Sequence, residues 1–399
     1  MSGLTVVQSC KRWLPRTQKW LHRQIQSLPD DVATRVVCRE TLNLDEFPVD
    51  SLEVFDERRV EAPLADRLLW HLRRTPVVED AVEGWELSRW VGHRSSVAEG
   101  ADLVHSHFGP VAWRDVEVAR RADAAHVATF YGYDVSLLPK DDPRWRDRYR
   151  DLFDAVTGVL AEGPSMRQKI VHLGCPAEKV RVHHLGVDPD ALAFEPRSLA
   201  PDEPVRILVA ASFKPKKGIP DAVEALGRLQ DELDFELTIA GDATDLDRSQ
   251  REKRRIERAI ETYDLEDRVD RRGFLEYEKL LDEFLEHHFL LSPSRTSARG
   301  DSEGGAPVTL IAAQATGMPV VSTTHADIPN VVLDGETGLL GPENDPGAVA
   351  DNIRRLVARA DEWPEMGEHA RRHVEEEFDA SRQGRRLAEI YRELVDEAG

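Results

Sequence analysis

Short apolar runs alternate with amphipathic stretches along most of the chain. Leu4 to Val7 reads as a brief strand. Leu103 to Pro110, His126 to Asp134, Val156 to Gly163 and Arg181 to Asp188 each read as a strand running into a polar turn. Met166 to Leu173, closed by Gly174, reads as a helix among them. A second series follows at Val205 to Ala211, Leu237 to Asp242, Val269 to Phe274, His288 to Ser292 and Met318 to Ser322. Helices are expected from Ile219, over Arg248 to Tyr263, after Pro307, from Pro346, from Arg371 and from Ala380 to Glu397. Strands alternating with helices predict parallel sheets, whose ligands sit beyond the carboxyl ends of the strands. Pro189 to Pro204 reads as a linker, which divides the chain into domains over 1–195 and 205–379 and a terminal helix over 380–399. Between 51 and 100 the pattern is helix-like, with Leu68, Leu69, Trp70 and Leu72 as core and Glu83, Trp85, Glu86 and Trp90 on a half-buried helix.

The 399-residue length supports two domains with separate cores, and 41% hydrophobic with 32% charged residues describes a globular protein. No apolar run approaches the roughly 18 residues that span a bilayer. Leu4 to Val7 breaks off at Gln8, so no secretory leader is expected. Cys10, Cys38 and Cys175 are scattered and odd in number, which fits a reducing cytosol rather than a disulfide framework or a zinc cluster. The net charge of −21 disfavours nucleic acid as a partner. Acids spread along the whole chain, with arginine preferred to lysine, fit either a halophilic cytoplasm or a merely acidic protein.

Against that background two basic clusters are unexpected. Lys11, Arg12, Trp13, Arg16, Lys19 and Trp20 would fall within roughly three or four helical turns. They could meet an acceptor diphosphate or lipid headgroups at the inner face of a membrane, or the tryptophans could pack inward. Lys214, Lys216 and Lys217 crowd the turn after the Val205 strand, just before a helix N-terminus. Such a turn needs an anion to compensate it, and a pyrophosphate does so well; the plainer reading is a solvated turn.

The most informative stretch runs from Gly300 to Pro319. Irregular backbone leads into an apolar helix with Pro307 in its first turn and Gly317 at its end, and Glu303 stands at the mouth. A helix N-terminus beside a carboxylate suits an anionic or hydroxyl-rich ligand. At the ends of two earlier strands, His107, Tyr131 and Asp134 would gather on one rim. Asp245 and Asp247 superficially offer a metal-binding Asp-x-Asp, but they read better as capping and dipole compensation for the next helix, so no metal site is expected. No dinucleotide fingerprint, nucleophile elbow or Walker lysine motif occurs.

Glu303-Gly304-Gly305-Ala306-Pro307, followed by Thr316-Gly317-Met318-Pro319-Val320-Val321, resembles the nucleotide-sugar loop of the retaining family-4 glycosyltransferases, nearest to the colanic-acid and exopolysaccharide enzymes. Phe130-Tyr131-Gly132-Tyr133-Asp134 resembles that family's Phe-His-Gly-x-Asp motif, with Tyr131 where histidine commonly stands. The resemblance implies a GT-B fold, two doubly wound Rossmann-like α/β domains facing a cleft, with the terminal helix crossing back to the first. It implies metal-independent transfer of a sugar from a nucleoside diphosphate such as UDP to a glycan or lipid-linked acceptor, with retention of configuration. By the same resemblance Glu303, Asp134 and Tyr131 approach the hexose, and His107, on the rim with the last two, is a further candidate for the donor. Gly304, Gly305 and Ala306 orient the hexose through their N–H groups, and Lys217 holds the phosphates. Ser212 stands where the family has a phosphate-binding arginine, a charge that Lys214 could replace. Ala312 stands where a glutamate grips the ribose, and Asn330 where many members have glutamate. These departures also suit a binding or partner subunit on the same scaffold.

Overall fold

The structure, a computed structural model, describes residues 3–15, 18–54, 87 and 90–399. Arg16, Leu68, Leu69, Trp70, Leu72, Glu83, Trp85 and Glu86 lie outside the described residues. The chain forms two compact units. One holds the residues up to Ala161 together with Arg167–His183 and Gly384–Gly399; the other holds Glu162–Met166 and His184–Gln383.

In the first unit β1 (Leu4–Ser9), β2 (Val32–Cys38), β3 (Leu52–Val54), β4 (Leu103–His107), β5 (Ala125–Phe130), β6 (Gly158–Ala161) and β7 (Val180–Val182) form one sheet in the order β3-β2-β1-β4-β5-β6-β7. Every pairing in it is parallel. Every residue of β4, β5 and β6 is buried, as expected of parallel strands covered on both faces. That burial also holds for His105, Ser106 and His107, whose polar atoms must therefore be satisfied inside the protein. The last helix, Ala380–Ala398, packs Leu387, Ile390, Tyr391 and Leu394 into the apolar cluster of Val6, Leu103, Val127 and Leu160.

The basic–aromatic stretch is not one helix. Arg12–Trp13 pairs with Glu40–Thr41 as a short strand, and the helix begins only at Lys19. Trp13 is fully buried and its indole N–H donates to the Phe47 carbonyl at 2.9 Å, which removes it from any membrane contact. Trp20 packs its ring on Tyr131 at 4.4 Å. Trp90 is likewise buried rather than half-exposed, its N–H donating to Asp115 at 2.7 Å.

In the second unit β8 (Val205–Ala210), β9 (Phe235–Ala240), β10 (Val269–Gly273), β11 (Phe289–Ser292), β12 (Val320–Thr323) and β13 (Gly338–Gly341) form a parallel sheet ordered β10-β9-β8-β11-β12-β13. The order reverses between β8 and β11, the switch point at which doubly wound sheets open a crevice at their carboxyl ends. Both sheets thus have the α/β class expected of the chain. Some local expectations change. Pro307 is extended (φ −59°, ψ 130°) and precedes the helix Val308–Ala315 instead of lying in its first turn. Leu246, not an aspartate, caps the helix Asp247–Thr262; Asp247 lies in the first turn, where it still complements the dipole. The helix expected from Arg371 starts at Trp363, because Trp363, Met366, Ala370 and Val374 bury one continuous stripe.

Candidate active site

The turn after β8 and the loop after β11 meet at the switch point. Gly218, at φ 65°, closes the lysine turn so tightly that a Cβ there would lie 1.9 Å from the Pro293 carbonyl oxygen. Arg295 staples the two segments together. Its guanidinium takes both oxygens of Asp221 at 2.9 and 2.8 Å, and its backbone N–H donates to Lys216 O at 2.8 Å.

Pro215–Lys217 form a single 3-10 turn that aims two lysines at one carboxylate. Lys217 Nζ lies 2.7 Å from Glu303 Oε1, and Lys216 Nζ lies 3.1 Å from Glu303 Oε2. Lys216 also donates to the Ser302 carbonyl at 2.9 Å and lies 3.8 Å from Asp301. Glu303 is 8% exposed. Its burial favours the neutral acid, but the two lysines outweigh that and hold the carboxyl far below its usual range. Burial likewise works against a charged Lys216, and Glu303 and Asp301 reverse the effect, raising its pKa. Lys214 is pushed down to about 8, first by burial and then by its two lysine neighbours.

The Glu303 loop rests on His325. The Glu303 N–H donates to His325 Nε2 at 3.0 Å, so His325 carries its proton on Nδ1, which faces Glu343 Oε1 at 2.7 Å. Glu343 in turn accepts the Thr296 N–H at 2.6 Å. Gly305 packs where a Cβ would come within 2.7 Å of Glu162 Cβ. Ser212 stands half-buried at the start of the turn, its carbonyl accepting the Lys214 N–H at 2.8 Å. Ala306 is half-buried, and Gly304 and Gly305 are buried beside Glu303. Ala312 is 4% exposed and belongs to the apolar cluster of Leu310, Ile311, Ala313 and Leu290. Asn330 Nδ2 donates to Asp327 at 3.2 Å.

His107, Tyr131 and Asp134 gather in the first unit. Asp134 is fully buried, and its oxygens accept the N–H groups of Gly109 and Tyr131, each at 3.0 Å. It therefore holds the turn that carries Tyr131. Burial pushes its carboxyl up to about 6 against those backbone donors. His107 is 1% exposed, with Nδ1 2.7 Å from the Tyr131 hydroxyl, so it supports Tyr131 from beneath. Phe108, between them in sequence, is held at φ 75°, ψ 137°, a conformation that costs a non-glycine residue, and its ring lies 4.6 Å from Tyr131.

Sequence reasoning missed Arg295, His325 and Glu343, and named Lys216 only as one of the lysines of the turn. Lys216 carried a signal, since it sits in the lysine-rich turn. The other three are ordinary loop residues until the fold brings them together.

Residues 19–191 match the family described as Glycosyltransferase Family 4, and residues 192–373 the one described as Glycosyl transferases group 1. A putative colanic acid biosynthesis glycosyltransferase of Escherichia coli is 34% identical over 74% of this chain and 71% of its own length. An amylovoran biosynthesis glycosyltransferase of Erwinia amylovora is also 34% identical, again over 74% and 71%. Among solved structures, the Anabaena protein HepE in complex with UDP and glucose superposes with a TM-score of 0.75 at 16% identity, covering 98% of this chain and 100% of that one. A sucrose-phosphate synthase of Thermosynechococcus elongatus reaches a TM-score of 0.77 at 18% identity over 98% and 99%. At those identities the structural likeness shows the fold alone.

Proposed function

The chain belongs to the family-4 glycosyltransferases, and from that premise we propose that it moves a hexose from a nucleoside diphosphate to a glycan or lipid-linked acceptor, with retention of configuration and without a metal ion. The observation that carries the reading is the buried meeting of Lys216 and Lys217 with Glu303 at the switch point of the second sheet. A diphosphate at these strand ends offers the lysines a second anionic partner, and Glu303, once released, can take hexose hydroxyls. The bond from the anomeric carbon to the diphosphate breaks while the acceptor oxygen bonds to the same face of that carbon. The acceptor's proton passes to the departing phosphate. Lysines already fixed by the fold stabilise the charge that develops there, with little reorganisation. Tyr131 is a further candidate for contact with the hexose.

The likeness to glycosyltransferases named for colanic acid and amylovoran biosynthesis supports an exopolysaccharide precursor as the acceptor, met at the inner face of a membrane. Of the basic stretch, Lys11 and Arg12 are exposed, Arg12 pairs with Glu40, and Lys11 is the cation that would meet headgroups.

The test is a screen of UDP- and GDP-sugars for release of free diphosphate, with and without chelator, followed by NMR of the product anomer. Chelator-insensitive release with the donor's own anomeric configuration is expected. An inverted product or dependence on a divalent cation would sink the corresponding part. The burial of Ala312 in apolar packing favours a second reading, a binding subunit that takes up diphosphate but releases none from any donor.

A further inference from the structure

Beneath Tyr131 runs a buried chain of hydrogen bonds within the first unit. The Tyr131 hydroxyl is 2.7 Å from His107 Nδ1, and His107 Nε2 is 2.9 Å from Gln8 Oε1. Gln8 Nε2 donates to the Tyr391 hydroxyl at 3.2 Å. That hydroxyl is 2.6 Å from His105 Nδ1, and His105 Nε2 is 2.7 Å from Thr129 Oγ1. Gln8, His105, His107, Thr129 and Tyr391 are all at most 4% exposed. Burial holds both imidazoles neutral, His107 at about 3 and His105 well below its usual value.

A neutral imidazole has one donor and one acceptor nitrogen, and a hydroxyl has one proton. Every link therefore takes its direction from the next, and a single reversal would set donor against donor where no water can compensate. The Gln8 amide gives the direction. Its carbonyl faces His107, so His107 carries its proton on Nε2 and must accept at Nδ1. Its NH2 faces Tyr391, so the Tyr391 O–H points to His105 and the His105 Nε2–H to Thr129.

We infer that Gln8, His107 and Tyr391 are positioning residues that turn the Tyr131 hydroxyl proton inward, so that Tyr131 meets a sugar hydroxyl as a hydrogen-bond acceptor. The ligand clause rests on the hexose contact proposed above; the proton direction does not. Tyr391 belongs to the terminal helix and Gln8 to β1, far from Tyr131 in sequence. Residues distant along the chain thus set the polarity of one hydroxyl at the end of β5.

The experiment combines histidine 15N NMR with steady-state kinetics, using the sugar nucleotide that turns over in the donor screen. In the parent protein His107 should be the Nε2–H tautomer from pH 6 to pH 8 (a range of about two units above its depressed pKa). Gln8→Leu removes the acceptor and should move the proton to Nδ1, where it donates to the Tyr131 oxygen. Gln8→Glu keeps an acceptor and should keep the parent tautomer. Turnover should fall about tenfold in Gln8→Leu, as for one lost hydrogen bond, and Gln8→Glu should rescue it. Tyr131→Phe should fall similarly, with Gln8→Leu adding nothing in that background. An Nδ1–H tautomer in the parent overturns the inference whether or not any variant folds. So does normal turnover in a Gln8→Leu protein whose tautomer has switched, while Tyr131→Phe is impaired. Normal turnover in Tyr131→Phe overturns the hexose contact and the acceptor role with it, leaving the tautomer to decide the proton's direction.

Discussion

Lys217 Nζ and Glu303 Oε1 are 2.7 Å apart, so the cation proposed to hold a phosphate is already paired with the carboxylate proposed to take a sugar. Lys216 closes the same carboxylate from its other oxygen at 3.1 Å. A buried carboxylate is stable here only because two cations face it, and the cations are stable only because it faces them. On the proposed function, a diphosphate arriving at the turn would compete with Glu303 for both lysines.

That competition has a measurable sign. Glu303→Gln should tighten UDP binding, by about threefold or more, because the lysines lose their internal counter-charge. It should lower the melting temperature of the free protein for the same reason. Turnover should still fall at least roughly tenfold, since the lost carboxylate acts on the hexose in the transition state. Calorimetry with UDP reads the first effect; unchanged or weaker affinity would show that the pair does not compete with the diphosphate.

Lys214 gives a proton-linked prediction. Its pKa is pushed down to about 8, so near that pH only part of the population carries the charge. A bound diphosphate favours the charged form and raises the pKa, so UDP binding at pH 8 should take up about half a proton. Binding enthalpies in buffers of different ionisation enthalpy measure this uptake. It should vanish in Lys214→Met, and buffer-independent enthalpies in the parent would refute it.

The buried histidines make the fold acid-sensitive. His107 is lowered to about 3 and His126 to about 4, both by burial, and His105 lies well below its ordinary value. Below the unfolded pKa of about 6.5 the unfolded chain binds protons that the native state refuses. The stability these groups contribute is therefore complete above that pH and is lost as pH falls toward the folded values, at about 1.4 kcal/mol per pH unit for each histidine. Asp134 acts in the opposite sense: raised to about 6, it binds its proton better in the folded state and becomes less costly as pH falls. Three histidines outweigh one carboxyl, so urea unfolding should show stability dropping from pH 6.5 to pH 5, a window of about one and a half units. A flat profile there would contradict the burial of these side chains.

Ala312 bears on nucleotide recognition. A glutamate there would enter a cluster of leucine, isoleucine and alanine side chains. Ala312→Glu should cost about 2–4 kcal/mol of stability, the range for burying an unpaired polar or charged group. It should bring no gain in UDP affinity and no preference for ribose over deoxyribose. Urea titration together with calorimetry on UDP and deoxy-UDP tests both; tighter, ribose-selective binding would show that the helix can present this position to a ligand.

Much of the architecture was legible from local pattern alone. The strands at Val205 and Phe289 are largely buried and stand out as apolar runs without any tertiary information, whereas those at Leu103 and Ala125 are fully buried although His105, Ser106, His107, His126 and Thr129 interrupt their apolar pattern. Gly317, at φ 82°, ends its helix because few other residues adopt that backbone, and this too is local chemistry. The lysine turn and the Glu303 loop were visible as segments with chemistry to explain. Which of their atoms meet was not. β8 and β11 become neighbours only through the strand order of the sheet, and a single 3-10 turn decides that Lys216 and Lys217 both face Glu303. His325 and Glu343 lie far along the chain from Glu303 and acquire a role only by packing beneath its loop. The same holds for Trp13, for which the sequence leaves both a membrane contact and inward packing open until the Phe47 carbonyl and the surrounding core claim it. Secondary structure follows from periodicities a few residues long; a site is made where distant segments converge, and only the closed fold determines which side chains it turns inward.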